Sequence, residues 1–229
     1  MNTLETAYIF DVDGTLVSTE ENIARLIVEI IEKHGVTIYA EDYHRQFAGT
    51  SFEDALSFYK QAYGLDLDVE ESITYLKEQI DINIETDGIK STPGTIQWFK
   101  QTCKQAIQAA IASNAPRAVI ETNLVYSNLI SYTREFPVFS AYDFNAWKPD
   151  PTIFIQAFKS FNQTNLKRVV VVEDSLAGLL AIDEFQKWLS EESPCIEVVA
   201  TLFCSNSNDH LTTLHTGPMI NDMRQLSQI

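Results

Sequence analysis

The chain has 229 residues, 45% hydrophobic, 11% aromatic and 21% charged, which is ordinary globular composition with room for one large domain or a domain carrying an inserted module. Its 32 acidic and 16 basic residues leave a formal charge of -16, a surface that repels nucleic-acid phosphates and anionic membranes and excludes both as expected partners. A protein this acidic must bring its own local positive charge if it handles an anion.

Met1 to Phe10 has no basic stretch and no long apolar run, so neither a secretion signal nor a membrane span is expected. Cys103, Cys195 and Cys204 have no metal-ligand spacing and read as free thiols of a reducing compartment, which gives a cytoplasmic expectation. His34, His44, His210 and His215 are scattered and read as surface or core histidines.

In chain order, Ala7 to Phe10 is an apolar run ending at Asp11 and predicts a buried strand. Asp13-Gly14-Thr15 supplies a turn. Ser18 and Glu21 have capping-box spacing before a helix carrying Ile23, Leu26, Ile27, Ile30 and Ile31, which Gly35 is placed to end. A second helix is predicted from about Ser51, through Phe52, Ala55, Leu56 and Tyr59, to Gly64, and a third from about Val69 towards Glu85. After Pro93-Gly94 come a helix with Ile96, Trp98 and Phe99 and an apolar run, Ala106 to Ala112, ending at Ser113-Asn114. Pro116 opens the next helix, Phe136 to Phe139 reads as a strand, and Asp150-Pro151 reads as a cap and first-turn proline for a helix to Phe161. Val169 to Val172 is a β-branched run of the kind buried on both faces of a parallel sheet, and it ends at Glu173-Asp174. A long helix follows, then a strand around Ile196 to Ala200 and a polar loop from Ser205 to Thr213.

Alternating strands and helices predict an α/β fold: a three-layer, Rossmann-like parallel-sheet core from residues 1-17 and 89-229, with an inserted all-helical module over 18-88. Ligands of such sheets bind beyond the carboxyl ends of the strands, where Asp11, Ser113-Asn114 and Glu173-Asp174 stand. If the first strand and the valine strand are neighbours, Asp11, Asp13, Glu173 and Asp174 converge. Like charges about 4 Å apart cost about 1 kcal/mol in water and several times that in a partly desolvated cleft, so the cluster needs protons or a cation. Hard oxygen ligands in an open site favour Mg²⁺.

Asp11-Val12-Asp13-Gly14-Thr15-Leu16 after an apolar strand, Ser113 at the end of another, Lys148 in Lys148-Pro149-Asp150-Pro151, and Glu173-Asp174-Ser175 with Gly178 shortly after form an ordered set over nearly the whole chain. This set resembles the haloacid dehalogenase superfamily, in its phosphatase and β-phosphoglucomutase-like branch. The resemblance implies Asp11 as the nucleophile that becomes an aspartyl-phosphate, and Asp13 as the acid that protonates the leaving oxygen and then the base that activates water. It implies Ser113 and Asn114, with Gly14 and Thr15, as phosphate-binding positions, and Lys148 as the cation balancing Asp11 and phosphate. Asp11, Asp174 and the carbonyl of Asp13 are the implied Mg²⁺ ligands, with Glu173 a direct or outer one. The dehalogenases of the superfamily lack the second aspartate, so Asp13 points to phosphate chemistry. The helical insert corresponds to the cap that closes over the site in such enzymes, and Gly217 to Leu226 resembles the family's last turn and short helix.

The expected substrate is a small phosphorylated metabolite, by family default a sugar phosphate, and the expected assembly is a monomer or small homo-oligomer. A rival reading is a β-phosphoglucomutase-like mutase, whose cap loop carries a lysine before a glycine and an arginine after it. The matching stretch here is Ala48-Gly49-Thr50-Ser51-Phe52, without either cation, which tilts towards hydrolysis. Gly49 remains a substrate-facing loop position; nearby His44 and Arg45 read as solvated helix residues. A catalytically silent binding member of the family is the third reading, and it would be expected to have lost Asp11, Asp13, Lys148 or Asp174.

Overall fold

Eight strands and ten α-helices follow one another in the computed structural model, which describes residues 5–47, 51–102, 105, 107–205 and 208–229. The side chains of Glu20, Glu21 and Arg45 fall outside that description, as do Cys103 and the Ala48-Gly49-Thr50 loop with its expected substrate contact. Strands β1 (Thr6–Phe10) and β2 (Val17–Ser18) lead into helices α1 (Glu20–Glu32), α2 (Ala40–Phe47), α3 (Phe52–Tyr63) and α4 (Val69–Asp87). Then come β3 (Lys90–Ser91), α5 (Thr95–Thr102), β4 (Gln108–Ser113), α6 (Arg117–Tyr126), α7 (Ile130–Thr133), β5 (Val138–Ser140) and α8 (Ala141–Phe144). The chain finishes with α9 (Thr152–Lys159), β6 (Arg168–Glu173), α10 (Leu176–Glu192), β7 (Glu197–Phe203) and β8 (Met219–Ile220). It divides into two compact units, Met1–Ser18 with Lys90–Ile229, and Thr19–Ile89.

The first unit is built on a six-stranded parallel sheet in the order β5-β4-β1-β6-β7-β8. Side-chain alternation explains its layers. Ala7, Ile9, Val169 and Val171 face one way and pack in a core with Phe154, Phe158, Ile182 and Phe185 of α9 and α10. Tyr8 and Phe10 face the other way, where Phe10 meets Trp98 and Phe99 of α5 edge-on at 5.3 and 5.7 Å. With helices on both faces, the inner strands read as continuous apolar runs. Truncating a fully buried aromatic such as Phe10 to alanine would cost about 3–5 kcal/mol.

The second unit is helical. Its core gathers Ile27, Ile31, Leu56, Tyr59 and Leu76 with Tyr43 and Phe47. Ser51 caps α3 by accepting from Asp54 N at 3.1 Å, and Gly64 closes it in the left-handed region with φ 63. Among the described residues no helix is long and apolar enough to cross a membrane.

Several local expectations need correction. Ser18 is not the cap residue of α1: it pairs with Lys90 in the antiparallel β2–β3 ribbon, and α1 starts one residue past Thr19, which makes no side-chain cap bond; the Glu21 side chain of the expected box lies outside the description. Helix α2 is additional; its composition is polar, and it buries Tyr43, His44 and Phe47. His44 is therefore not solvated: it is 7% exposed, edge-on to Tyr43. Pro151 rather than Asp150 occupies the cap position of α9, while Asp150 Oδ1 accepts from Thr152 N at 2.8 Å. The polar loop after β7 contains a 3-10 turn over Asp209–Thr213.

Candidate active site

Register places the site. Phe10 pairs with Ile111 on one side and Val172 on the other, so the next residue of each strand, Asp11, Ala112 and Glu173, stands at one sheet edge. Asp11 N donates to Val172 O at 3.1 Å and holds β1 to β6 just where the acidic residues begin. Side-chain oxygens of Asp11, Glu173 and Asp174 all lie within 4.8 Å of one another, and all three residues are buried.

Among the described residues, one cation faces this group. Lys148 Nζ donates to Asp11 Oδ1 at 2.5 Å, to Glu173 Oε1, and to Ala112 O at 3.0 Å. The segment carrying it is fastened by Asn114, whose Oδ1 accepts from Lys148 N at 2.9 Å. Burial works against the lysine's charge, but Asp11 and Glu173 outweigh it and raise its pKa. For Asp11 burial is the largest influence and raises the pKa well above the usual carboxylate range; Lys148 pulls it down, and Glu173 and Asp13 push it up again.

Three buried carboxylates against one ammonium leave an excess of negative charge, which a hard cation with oxygen ligands would neutralise. The backbone gives those carboxylates room. Gly14 has φ 79, and a Cβ there would lie 2.0 Å from Asp174 Oδ2. A Cβ on Gly178 would lie 2.0 Å from the Glu173 carboxyl carbon. Glu173 is already well supplied with donors, since Ser175 Oγ donates to its Oε2 at 3.0 Å and Lys148 holds its Oε1.

Of the residues singled out in the sequence, Asp11, Lys148, Glu173 and Asp174 come together directly. Thr15 is buried and donates its hydroxyl to Asp174 Oδ1 at 3.2 Å. Ser113, at the end of β4, is buried and accepts from Ala115 N at 3.1 Å. The Asp13 carboxylate has a separate anchor: Asn123 Nδ2 of α6 donates to its Oδ1 at 2.8 Å.

Two residues had no place in the motif reading. Asn123 is one; its signal is a polar side chain on the buried stripe of α6 with Ile120 and Leu124. Asn208 is the other, buried in the loop after β7, donating to Asp174 O at 2.7 Å and Phe203 O at 2.9 Å. Nothing local in its polar surroundings marks it.

Comparison with known proteins bears on the family of the chain. Residues 8–184 match the family model of the haloacid dehalogenase-like hydrolases. The 6-phosphogluconate phosphatase of Escherichia coli (strain K12) is 28% identical over 178 residues, covering 75% of this chain and 75% of that protein. The phosphorylated carbohydrates phosphatase of Thermotoga maritima is 28% identical over 178 residues, covering 76% and 79%. A solved structure of a family hydrolase from Deinococcus radiodurans R1, with bound phosphate and sodium, has a TM-score of 0.75 at 19% identity over 99% of this chain and 94% of its own, and shows the same fold. With its motif residues gathered at one sheet edge and most of its length matched, the chain belongs to the haloacid dehalogenase-like hydrolases.

Proposed function

We propose that this protein is a magnesium-dependent phosphatase that hydrolyses a small phosphorylated metabolite, in the first instance a sugar phosphate, through an aspartyl-phosphate on Asp11. The observation that carries this reading is the buried group in which Asp11 is gripped by Lys148 beside Glu173 and Asp174, with the Asp13 carboxylate, close in sequence to Asp11, accepting from Asn123. Two named sugar-phosphate phosphatases among its relatives support the substrate class.

In the proposed reaction an oxygen of Asp11 forms a bond to phosphorus as the bond to the leaving oxygen breaks. Asp13 gives its proton to that oxygen, so an alcohol departs rather than an alkoxide. Asp13 then accepts a proton from water as the water oxygen attacks the phosphoryl group on Asp11, which releases inorganic phosphate and restores both carboxyl groups. Lys148 balances the charge on Asp11 and on the transferring group, and Ser113 with the backbone of Asn114 binds phosphoryl oxygens. Asp11, Asp174 and the Asp13 carbonyl would hold Mg²⁺, which supplies the positive charge the acidic site lacks; Glu173 acts mainly as the partner of Lys148. Free Cys195 and Cys204 suit a reducing cytoplasm as the setting.

Hydrolysis is preferred to mutase chemistry because the segment from 19 to 89 has 16 acidic and five basic residues and so offers little to hold a second phosphate. A silent member is disfavoured because Asp11, Asp13, Lys148 and Asp174 are all present. The test is phosphate release from a panel of phosphorylated metabolites and an aryl phosphate, with and without Mg²⁺, for wild type and Asp11→Asn. Release that needs Mg²⁺ and is lost in the variant is expected; equal release by both proteins would remove Asp11 from its role.

A further inference from the structure

We infer that Thr92 is a positioning residue for the metal site: its hydroxyl holds the Thr15 carbonyl and, through the Thr15 side chain, keeps the Asp174 carboxylate where Mg²⁺ would bind. The inference rests on the metal-dependent reading above and extends it to a residue outside the ordered motifs.

Thr92 follows β3 and belongs, with Thr15 and Asp174, to the first unit. It is 5% exposed, and Thr95, the first residue of α5, is fully buried. Buried hydroxyls cost stability unless they are used, and these two are used in a fixed order. Thr92 Oγ1 lies 2.6 Å from Thr15 O and 2.7 Å from Thr95 Oγ1, with a longer approach of 3.3 Å to Leu16 O. A carbonyl only accepts, so the single Thr92 hydroxyl proton goes to Thr15 O and the Thr95 hydroxyl donates to Thr92. The Thr15 hydroxyl in turn donates to Asp174 Oδ1 at 3.2 Å.

Thr15 sits in a turn whose amides are held from within: Thr15 N donates to Val12 O at 3.3 Å, Leu16 N to the same oxygen at 2.9 Å, and Gly14 N to Val17 O at 2.8 Å. The Thr15 carbonyl is held from 77 residues away, by Thr92. The hydroxyl is not needed to join the two segments, because Thr92 N already donates to Leu16 O at 3.0 Å and β2 pairs with β3. What it adds is the setting of the turn. That turn meets both oxygens of Asp174: the Thr15 hydroxyl reaches Oδ1, and Gly14 leaves room for Oδ2, where a Cβ would stand 2.0 Å away. The Asp13 carbonyl, another proposed ligand, is part of the same turn. A shift of the turn therefore moves two ligands, and ligands displaced by about 0.5 Å no longer form a good site.

The experiment titrates Mg²⁺ into the metal-free protein by calorimetry, without substrate, with Asp174→Asn marking the heat that belongs to the site; thermal unfolding is read alongside. Thr92→Ala and Thr92→Val remove the hydroxyl, the first without added bulk, and Thr92→Ser keeps it. Thr95→Val removes the other hydroxyl of the pair but leaves the Thr92–Thr15 bond in place, so it should lower the melting temperature without the loss of positioning. Thr92→Ala and Thr92→Val are expected to weaken Mg²⁺ binding about tenfold, the lower end of what hydrogen-bonded support of a ligand contributes. Thr92→Ser is expected to stay within about threefold of wild type and Thr95→Val within about twofold, since both keep the donor to Thr15. A loss of affinity that Thr95→Val shares in full would mean a general loosening of the fold, and unchanged affinity in Thr92→Ala and Thr92→Val would mean that Thr15 needs no anchor; each overturns the inference alone. A wild type that gives no Mg²⁺ signal beyond that of Asp174→Asn would overturn the metal-dependent reading itself, and this inference with it.

Discussion

Gly14 and Asp174 are so close that a Cβ at residue 14 would stand 2.0 Å from Asp174 Oδ2. The nucleophile loop and the second acidic strand end thus share one volume, which only a residue without a side chain leaves open. Gly14 also has φ 79, where a side chain is strained even with space. Gly14→Ala is expected to displace the Asp174 carboxylate, reduce turnover by at least about a hundredfold and lower stability by about 1–3 kcal/mol. Turnover at saturating Mg²⁺ with a urea unfolding curve checks both.

Lys148 is the one cation that faces Asp11 and Glu173 among the described residues, and its side chain is 3% exposed. Its pKa is raised in the folded protein, so its contribution is fully present at neutral pH and is lost only as pH rises through the folded value. Lys148→Met should lower unfolding free energy at pH 7 by about 3 kcal/mol, because two buried carboxylates lose their partner. It should also abolish turnover. Urea unfolding in metal-free buffer is the measurement.

Asp11 has the opposite effect on stability. Its pKa is raised by burial, so the stability linked to its protonated form is present at low pH and is lost as pH rises through the folded value. At pH 7 without metal, Asp11→Asn should therefore melt higher than wild type, and the difference should shrink as pH falls towards about 4, the carboxylate range of an unfolded chain. Added Mg²⁺ should raise the wild-type melting temperature by binding the folded state, and should do so much less in Asp11→Asn and Asp174→Asn. Thermal melts over a pH and Mg²⁺ series read all of these shifts.

Asn208 ties the loop after β7 to the main chain of Asp174 and to Phe203. Asn208→Ala would leave two carbonyls short of a donor in a buried position, at a cost of about 2 kcal/mol. Mg²⁺ affinity should weaken as well, since Asp174 loses its backbone support. A melt with and without Mg²⁺ separates the two effects.

The parts of this site legible in the sequence are those written locally. A run of apolar residues stopped by an acid marks β1 and Asp11, and the valines of β6 mark Glu173 and Asp174 in the same way. Lys148 was visible through the ordered motifs. The partners that orient these groups were not, because each is brought in by tertiary structure: Asn123 lies 110 residues from Asp13, and Thr15 lies 159 from Asp174. Helix α2 escaped notice because its sequence is mostly polar and its place depends on Tyr43 and Phe47 entering the helical core. The Ser18 cap failed because the β2–β3 ribbon claims that residue first, a tertiary pairing that local spacing does not encode.

The central claim is that Asp11 becomes covalently phosphorylated. The most direct measurement is acid quenching during turnover of the best phosphate ester labelled in its phosphoryl group, followed by peptide mapping. The label is expected on the peptide containing Asp11 in wild type and on no peptide in Asp11→Asn. Phosphate release from a wild-type protein that carries no label at any time in the turnover would contradict the account.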